Sequence, residues 1–164
     1  VYLRLSSHPL VQPERALSGA LGDDIIAGAY WRTAPGDGAP LAIVYSGAVA
    51  GEALEAFDRL RETVPGAGLL AVTSADRLHG GWRAAGDGDT ASHIEGLLAP
   101  LAPSAALVTV LDGHPLTLSW LGSVRGHRVV PLGVDRFGQC GTVPGLYREY
   151  GIDADAIVAA CSRN

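Results

Sequence analysis

Lysine and methionine are absent from the 164 residues, and the only asparagine is Asn164. A Walker-type phosphate loop, Schiff-base catalysis and a pyridoxal phosphate anchor each need the ε-amine of a lysine. The sequence therefore excludes these three chemistries. Because the initiator methionine is also missing, we expect the chain to be a fragment or a trimmed piece of a longer polypeptide.

Long apolar runs and clusters of one charge are missing as well. The longest apolar runs, such as Leu107–Leu111, fall far short of the roughly 18 residues that cross a bilayer. The 12 basic residues, all arginine, are scattered among 17 acidic ones, which gives a net charge of −5. We therefore expect a cytoplasmic protein without a membrane or nucleic-acid partner. The cysteines, Cys140 and Cys161, form no CxxC pair, which is typical of free thiols in a reducing compartment.

Segments with strand and helix patterns alternate along the chain, which at 48% hydrophobic residues has enough apolar material for one domain. We assign residues 1–22 to a short strand, Val1–Leu5, with a connecting segment, and residues 23–164 to the domain itself. Two strand-like runs, Ile25–Arg32 and Leu41–Tyr45, flank the turn sequence Pro35-Gly36-Asp37-Gly38, which predicts an antiparallel hairpin.

The remaining pattern predicts an amphipathic helix, further strands and several shorter helices. Ser92 and Glu95 have the spacing of a capping box, and Pro100 and Pro103 should close the helix that it opens. Ala105–Leu111 is the most continuous apolar run and should form a central parallel strand. The predicted fold class is α/β, a three-layer αβα doubly wound sheet that is mostly parallel with one antiparallel strand. The predicted segments are helices at 49–63, 75–84, 92–98, 116–123, 142–150 and 154–161, and strands at 68–73, 105–111 and 128–132.

Functional sites of open α/β sheets lie at the carboxyl ends of the strands, and two of the loops expected there carry several polar groups. The first is Asp112-Gly113-His114-Pro115. Its carboxylate and imidazole could form a general acid/base pair or a partner-binding element. Alternatively, Asp112 caps the following helix and His114 is simply solvated. The other four histidines occur singly, and we interpret them as surface or core residues.

The second loop, Gly133–Gly141, places three glycines around adjacent opposite charges and one aromatic residue, a composition that favours a tightly folded loop. Cys140 precedes a predicted helix, whose amides could activate a nucleophilic thiol, although a packing role is the alternative. The candidate interface or ligand residues of the two loops are Asp112, His114, Asp135, Arg136, Phe137, Gly138 and Cys140.

The same loop, followed by Leu146–Gly151 and Ala154–Ala160, resembles the closing segment of the transketolase superfamily. There the pattern is Gly-x-Asp-x-Phe-Gly-x-Ser, a spacer, Leu-x-x-x-Phe-Gly and a last small helix. Cys140 stands where Ser is usual and Tyr150 where Phe is usual. The resemblance extends upstream to Pro40–Gly47 and the helix after it, which resemble the strand, glycine and helix at the start of the C-terminal domain. Val108–Pro115 resembles the Asp-containing strand end of the homodimeric pyruvate dehydrogenase component. Val1–Ser6 resembles the last strand of a preceding pyrimidine-binding domain.

The resemblance implies the C-terminal domain of a thiamine diphosphate-dependent enzyme, either a 2-oxo acid dehydrogenase of the pyruvate dehydrogenase type or a transketolase. In such enzymes thiamine diphosphate and Mg²⁺ bind between two upstream domains of a homodimer. This domain would therefore support the dimer, hold no cofactor, metal or catalytic residue, and be inactive by itself. Phe137 would be buried against another chain or domain. Gly36-Asp37-Gly38 and Gly86-Asp87-Gly88 resemble the start of the thiamine diphosphate signature, but the asparagine that completes it is missing.

Two alternatives from other functional classes remain open. The first is a regulatory module that binds a small anion or nucleotide at the strand-end loops, with the charge supplied by Arg136. The second is a hydrolase that uses Cys140 as its nucleophile.

Overall fold

The computed structural model describes residues 9–10, 15–86, 90–136, 138 and 140–163. The predicted strand Val1–Leu5 lies outside them. The helices are α1 Gly19–Ala27, α2 Ala50–Leu60, α3 Ala75–Ala85, α4 His93–Leu98, α5 Leu116–Ser119, α6 Leu121–Arg125, α7 Val143–Tyr150 and α8 Ala154–Cys161. The strands are β1 Ala29–Thr33, β2 Ala39–Ser46, β3 Gly68–Val72, β4 Leu101–Leu111 and β5 Arg128–Leu132, and a 3₁₀ turn, Gly47–Val49, precedes α2.

The five strands form one sheet in the order β1-β3-β2-β4-β5. Strands β2, β3, β4 and β5 run parallel, and β1 is antiparallel to β3. In the centre of the sheet, Val44 pairs with Leu70 on one side and with Thr109 on the other. The predicted fold class, a mostly parallel α/β sheet with one antiparallel strand, is confirmed.

Helices cover both faces of the sheet. Successive side chains of a strand point to opposite faces, and the apolar side chains on each face are buried by the helices that pack there. Ile43 faces the layer that contains α2 and α8, whereas Val44 faces the layer that contains α3, α4 and α6. Both side chains are almost completely buried. The apolar residues on both faces of β2 and β4 thus hold three layers together.

The predicted hairpin between the first two long strands is wrong, because β3 lies between β1 and β2. The indole of Trp31 lies over Gly68, where an added Cβ would stand 2.6 Å from the ring. The same indole donates a hydrogen bond of 3.0 Å to the carbonyl of Leu97. The turn at Gly36 and Gly38 donates to the carbonyls of Gly66 and Pro100. Long-range contacts of the strand and of the turn therefore decide the pairing.

The prediction of one strand over Ile25–Arg32 is also wrong in its first half, because residues 25–27 belong to α1. Ser18 caps this helix by accepting from the amide of Leu21, and Gly28 ends it at φ +116°. α1 begins inside the segment predicted as a connector and continues through residues 22 and 23. The division of the chain at that point stays a prediction.

The capping box of Ser92 and Glu95 is confirmed at the start of α4. Pro103, which was expected together with Pro100 to close this helix, lies inside β4 instead. A strand tolerates proline there because β4 pairs with β5 only from Ala106 onward and its ladder with β2 is irregular at this end. β4 is an interior strand, as predicted, although β2 occupies the middle of the sheet.

Candidate functional site

The two predicted loops meet at the carboxyl ends of β4 and β5. The amide of Val134 donates a hydrogen bond of 2.8 Å to the carbonyl of Gly113. An added Cβ on Gly133 would stand 2.5 Å from the same carbonyl and 2.9 Å from the ring of Pro115. The loops, Asp112–Pro115 and Gly133–Gly141, are therefore packed backbone to backbone in the described part, and we call them the paired loops.

Asp112 is half-buried and turns toward the first residues after β2. Its Oδ1 lies 3.0 Å from the position that a Cβ on Gly47 would occupy, and Gly47 itself has φ +77°. The helix that follows Asp112 begins at Leu116 with Pro115 in the N-cap position, so Asp112 does not occupy the cap position that was predicted for it. The Asp112 carboxylate instead lies where β4 and the turn before α2 approach each other.

His114 is exposed, as the solvated interpretation predicts. Its Nδ1 accepts a hydrogen bond of 3.3 Å from the amide of Leu116. This contact favours the neutral tautomer that carries its proton on Nε2. The imidazole thus helps to begin α5.

Two residues that the sequence analysis missed, Glu52 and Tyr147, lie near this edge. Oε2 of Glu52 accepts a hydrogen bond of 2.8 Å from the amide of Ala154, which joins α2 to the start of α8. Burial raises the pKa of Tyr147, and the charges of Asp112 and Glu52 raise it further. At neutral pH this corner therefore holds a protonated phenol beside carboxylates, a field that disfavours an anionic ligand. In the sequence, the one signal for Glu52 is its position in the first turn of α2, which does not indicate its contact with α8.

Arg136 is paired within the chain. Its Nη2 donates to Oε1 of Glu149 at 2.8 Å and to the carbonyl of the same residue at 3.0 Å. The guanidinium also lies 5.4 Å from the centre of the Tyr150 ring. These contacts join the second loop to the end of α7. The guanidinium charge of Arg136 is therefore already paired with Glu149, which weakens the alternative that Arg136 binds an anion.

The remaining candidates of the second loop divide into two groups. Asp135, Gly138 and Cys140 are exposed, so the Cys140 thiol does not pack into the core formed by the described residues of this chain. Phe137 lies outside the described residues, and its burial against a partner stays a prediction. The other thiol, Cys161, is buried, which raises its pKa to about 12 and keeps it protonated and unreactive.

A Mg²⁺ ion that holds a diphosphate needs oxygen ligands grouped in one place. Over residues 9–10, 15–86, 90–136, 138 and 140–163, no three His, Cys, Asp or Glu side chains are grouped as metal ligands. Gly36-Asp37-Gly38 forms an exposed turn just before β2, at the edge opposite the paired loops. Residues 87 and 88 of the second Gly-Asp-Gly lie outside the described part. Of the helices that the structure describes, none is long and apolar enough to cross a membrane.

Comparison with known proteins found similarity in structure but not in sequence. Neither a protein-family model nor a curated protein matches the chain. Transketolase from Campylobacter jejuni superimposes with a TM-score of 0.63 at 17% identity, over 86% of this chain and 19% of that one. Transketolase from Leishmania mexicana superimposes with a TM-score of 0.63 at 19% identity, over 86% of this chain and 18% of that one.

A third solved structure, described as a split-gene transketolase in an inactive β4 tetramer, gives a TM-score of 0.55 at 19% identity. It is matched over 84% of this chain and 42% of that one. The chain thus spans about a fifth of the two complete transketolases and less than half of the split-gene chain. At such identities the comparison shows the fold, which is a transketolase C-terminal-like domain.

Proposed function

We propose that this chain is the C-terminal, dimer-supporting domain of a thiamine diphosphate-dependent enzyme of the transketolase superfamily. The observation that carries the proposal is the match of the sheet and its helices to transketolases over 86% of the chain. The loop Gly133–Gly141 lies directly after the last strand and contacts α7, which agrees with the order of motifs that the sequence shares with the superfamily.

In this proposal thiamine diphosphate and Mg²⁺ bind to upstream domains, and no residue of this chain acts as a catalytic residue. The paired loops instead form a fixed corner at one edge of the sheet. Gly113 and Val134 join the loops to each other, and Arg136 joins them to α7. The exposed side chains of Asp135 and Cys140 are available on this corner to contact another domain or protomer.

The transketolase type is the form that the similar solved structures favour. Val108–Pro115, in contrast, is the segment whose sequence resembles pyruvate dehydrogenase. These forms differ in the substrate of the complete enzyme, a ketose phosphate or a 2-oxo acid. Turnover assays of the complete polypeptide with each substrate class distinguish them.

The split-gene transketolase, which is described as an inactive β4 tetramer, supplies a parallel for a chain that is inactive by itself. We expect the 164-residue chain to bind no thiamine diphosphate with Mg²⁺ when titrated calorimetrically. Binding at micromolar affinity would contradict a purely supporting role.

The dimer role has its own test in the complete enzyme. Arg136→Gln removes the contact between the paired loops and α7, so we expect weaker dimerisation in sedimentation equilibrium. Arg61→Gln is the matched control, because Arg61 forms an exposed ion pair with Asp58 on α2, away from the loops. Equal dimerisation of the two variants and the parent would argue against a dimer contact at this corner.

A further inference from the structure

A second polar feature lies at the opposite edge of the sheet, near the amino ends of β4 and β5. It is a pocket of about 280 Å³ between the start of β4 and the end of α6. Its lining residues are Leu101, Pro103, Val124, Arg125 and His127. None of them belongs to the paired loops or contributes to the proposed dimer role.

His127 is only 6% exposed, and neither of its ring nitrogens makes a hydrogen bond of full geometry with a described residue. Burial and then the charge of Arg125 lower its pKa below 6.5, whereas hydrogen bonding to the backbone of Pro103 and Ala105 partly opposes this. An imidazole that is poorly paired inside a protein costs free energy, because the water that it loses is not fully replaced by other partners. The ring is therefore only weakly partnered beside an open pocket.

Arg125 supplies a charge at the same place. Its side chain makes no hydrogen bond or ion pair with any residue that the structure describes, and it lies in the last turn of α6. The charge of Arg125 acts on the carboxylate of Glu95, whose pKa is lowered by hydrogen bonds from Ser92 and, less strongly, by Arg125. That carboxylate is already bound to the hydroxyl and amide of Ser92.

The charge on the pocket wall is positive. Arg125 and a chargeable His127 both line the pocket, although the whole chain has a net charge of −5. A local positive charge attracts small anions even when the molecule as a whole is negative.

We propose that this pocket binds a small oxyanion of the phosphate or carboxylate type, held by the guanidinium of Arg125 and by a proton on the imidazole of His127. Because the ring nitrogens are shielded from solvent, this binding mode requires the imidazole to rotate so that one of them faces the anion. Binding then takes up a proton when His127 is neutral beforehand, and the affinity rises as the pH falls. Because the pocket shares no residue with the paired loops, this proposal and the proposed function can fail separately.

Sulfate is the first probe, since its charge does not change between pH 6 and pH 8. With ionic strength held constant by chloride, we expect sulfate to bind the 164-residue chain roughly tenfold more tightly at pH 6 than at pH 8. The Hε1 resonance of His127 should titrate at a higher pH in sulfate than in chloride. Acetate in place of sulfate shows whether the pocket accepts a carboxylate as well.

Arg125→Gln is the decisive variant, because Arg125 is exposed and its loss leaves the core intact. We expect it to abolish the sulfate-dependent change at His127. Arg83→Gln is the matched control, since Arg83 occupies the last turn of α3 as Arg125 does in α6, and it should bind sulfate like the parent. Unchanged binding in Arg125→Gln, or no shift of the His127 resonance in sulfate, would overturn the proposal.

Discussion

At the scale of single residues, Gly133 controls how the paired loops meet. The carbonyl of Gly113 approaches so closely that no side chain fits between the two backbones. This approach also positions the Val134 amide for its hydrogen bond to the same carbonyl. The absence of a side chain at one position thus holds the two candidate loops in a single arrangement.

We expect Gly133→Ala to lower the free energy of unfolding by about 1–3 kcal/mol, because backbone atoms must move to admit the methyl group. Urea unfolding followed by circular dichroism measures the change. Gly141→Ala is the control in the same loop, since its added Cβ would lie 3.6 Å from Leu146, an ordinary contact. Equal stability of the two variants would show that the loops are not packed as described.

Thr109 is completely buried in β4, and its hydroxyl has no hydrogen-bond partner. Thr109→Val removes that hydroxyl and keeps the shape, so we expect the free energy of unfolding to rise by about 1 kcal/mol. Thr73→Val makes the same chemical change where the hydroxyl donates to the carbonyl of Ile25 at 2.7 Å, and it should destabilise the protein. Changes of the same sign at both sites would refute this explanation.

His127 gives the stability a dependence on pH. Because its pKa is lower in the folded chain than the usual 6.5, the unfolded chain binds more protons between those two values. In chloride, the stability should therefore be fully present above about pH 6.5 and decline as the pH falls toward the folded pKa. His127→Leu should flatten this part of the profile in chemical unfolding at a series of pH values. A steep decline in that variant would assign the effect to another group.

At the scale of elements, local signals predicted most helices, whereas strand pairing depended on distant contacts. The capping residues Ser92 and Glu95 are three positions apart, and the helix that they begin is found where the sequence places it. The partner of β1 depends instead on how Trp31 packs over Gly68, which is 37 positions away in the sequence numbering. A turn sequence between two strands was therefore weaker evidence than the fit of one aromatic ring.

The candidate site shows the same division. The loops after β4 and β5 could be located from the sequence because carboxyl ends of parallel strands meet at one edge. Glu52 and Tyr147 could not, since their roles arise only when α2 and α7 pack near Asp112. The pairing of Arg136 with Glu149 likewise needs the folded path of the loop.

The capping box of α4 supplies a test at this scale. Ser92→Ala removes the hydroxyl that accepts from the amide of Glu95, so we expect a loss of about 1 kcal/mol in the free energy of unfolding. Ser104→Ala is the control, because Ser104 is exposed on β4. Thermal unfolding of both variants measures the difference, and an unchanged midpoint in Ser92→Ala would show that the cap contributes nothing to the fold.

At the scale of the whole molecule, two apolar layers on either side of a five-stranded sheet hold the described part of the chain together, and Cys140 and Cys161 form no disulfide. The same architecture occupies about a fifth of complete transketolases. In the proposed function, activity therefore resides in a larger polypeptide to which this chain contributes structure.

The mass of the native polypeptide tests that claim most directly. An antibody raised against the 164-residue chain can be used to probe a lysate of the source cells on a denaturing gel. We predict a band several-fold heavier than the 16.9 kDa of this chain, which would place the thiamine diphosphate domains on the same polypeptide. A single band near 16.9 kDa would contradict the proposed function and identify a free-standing module.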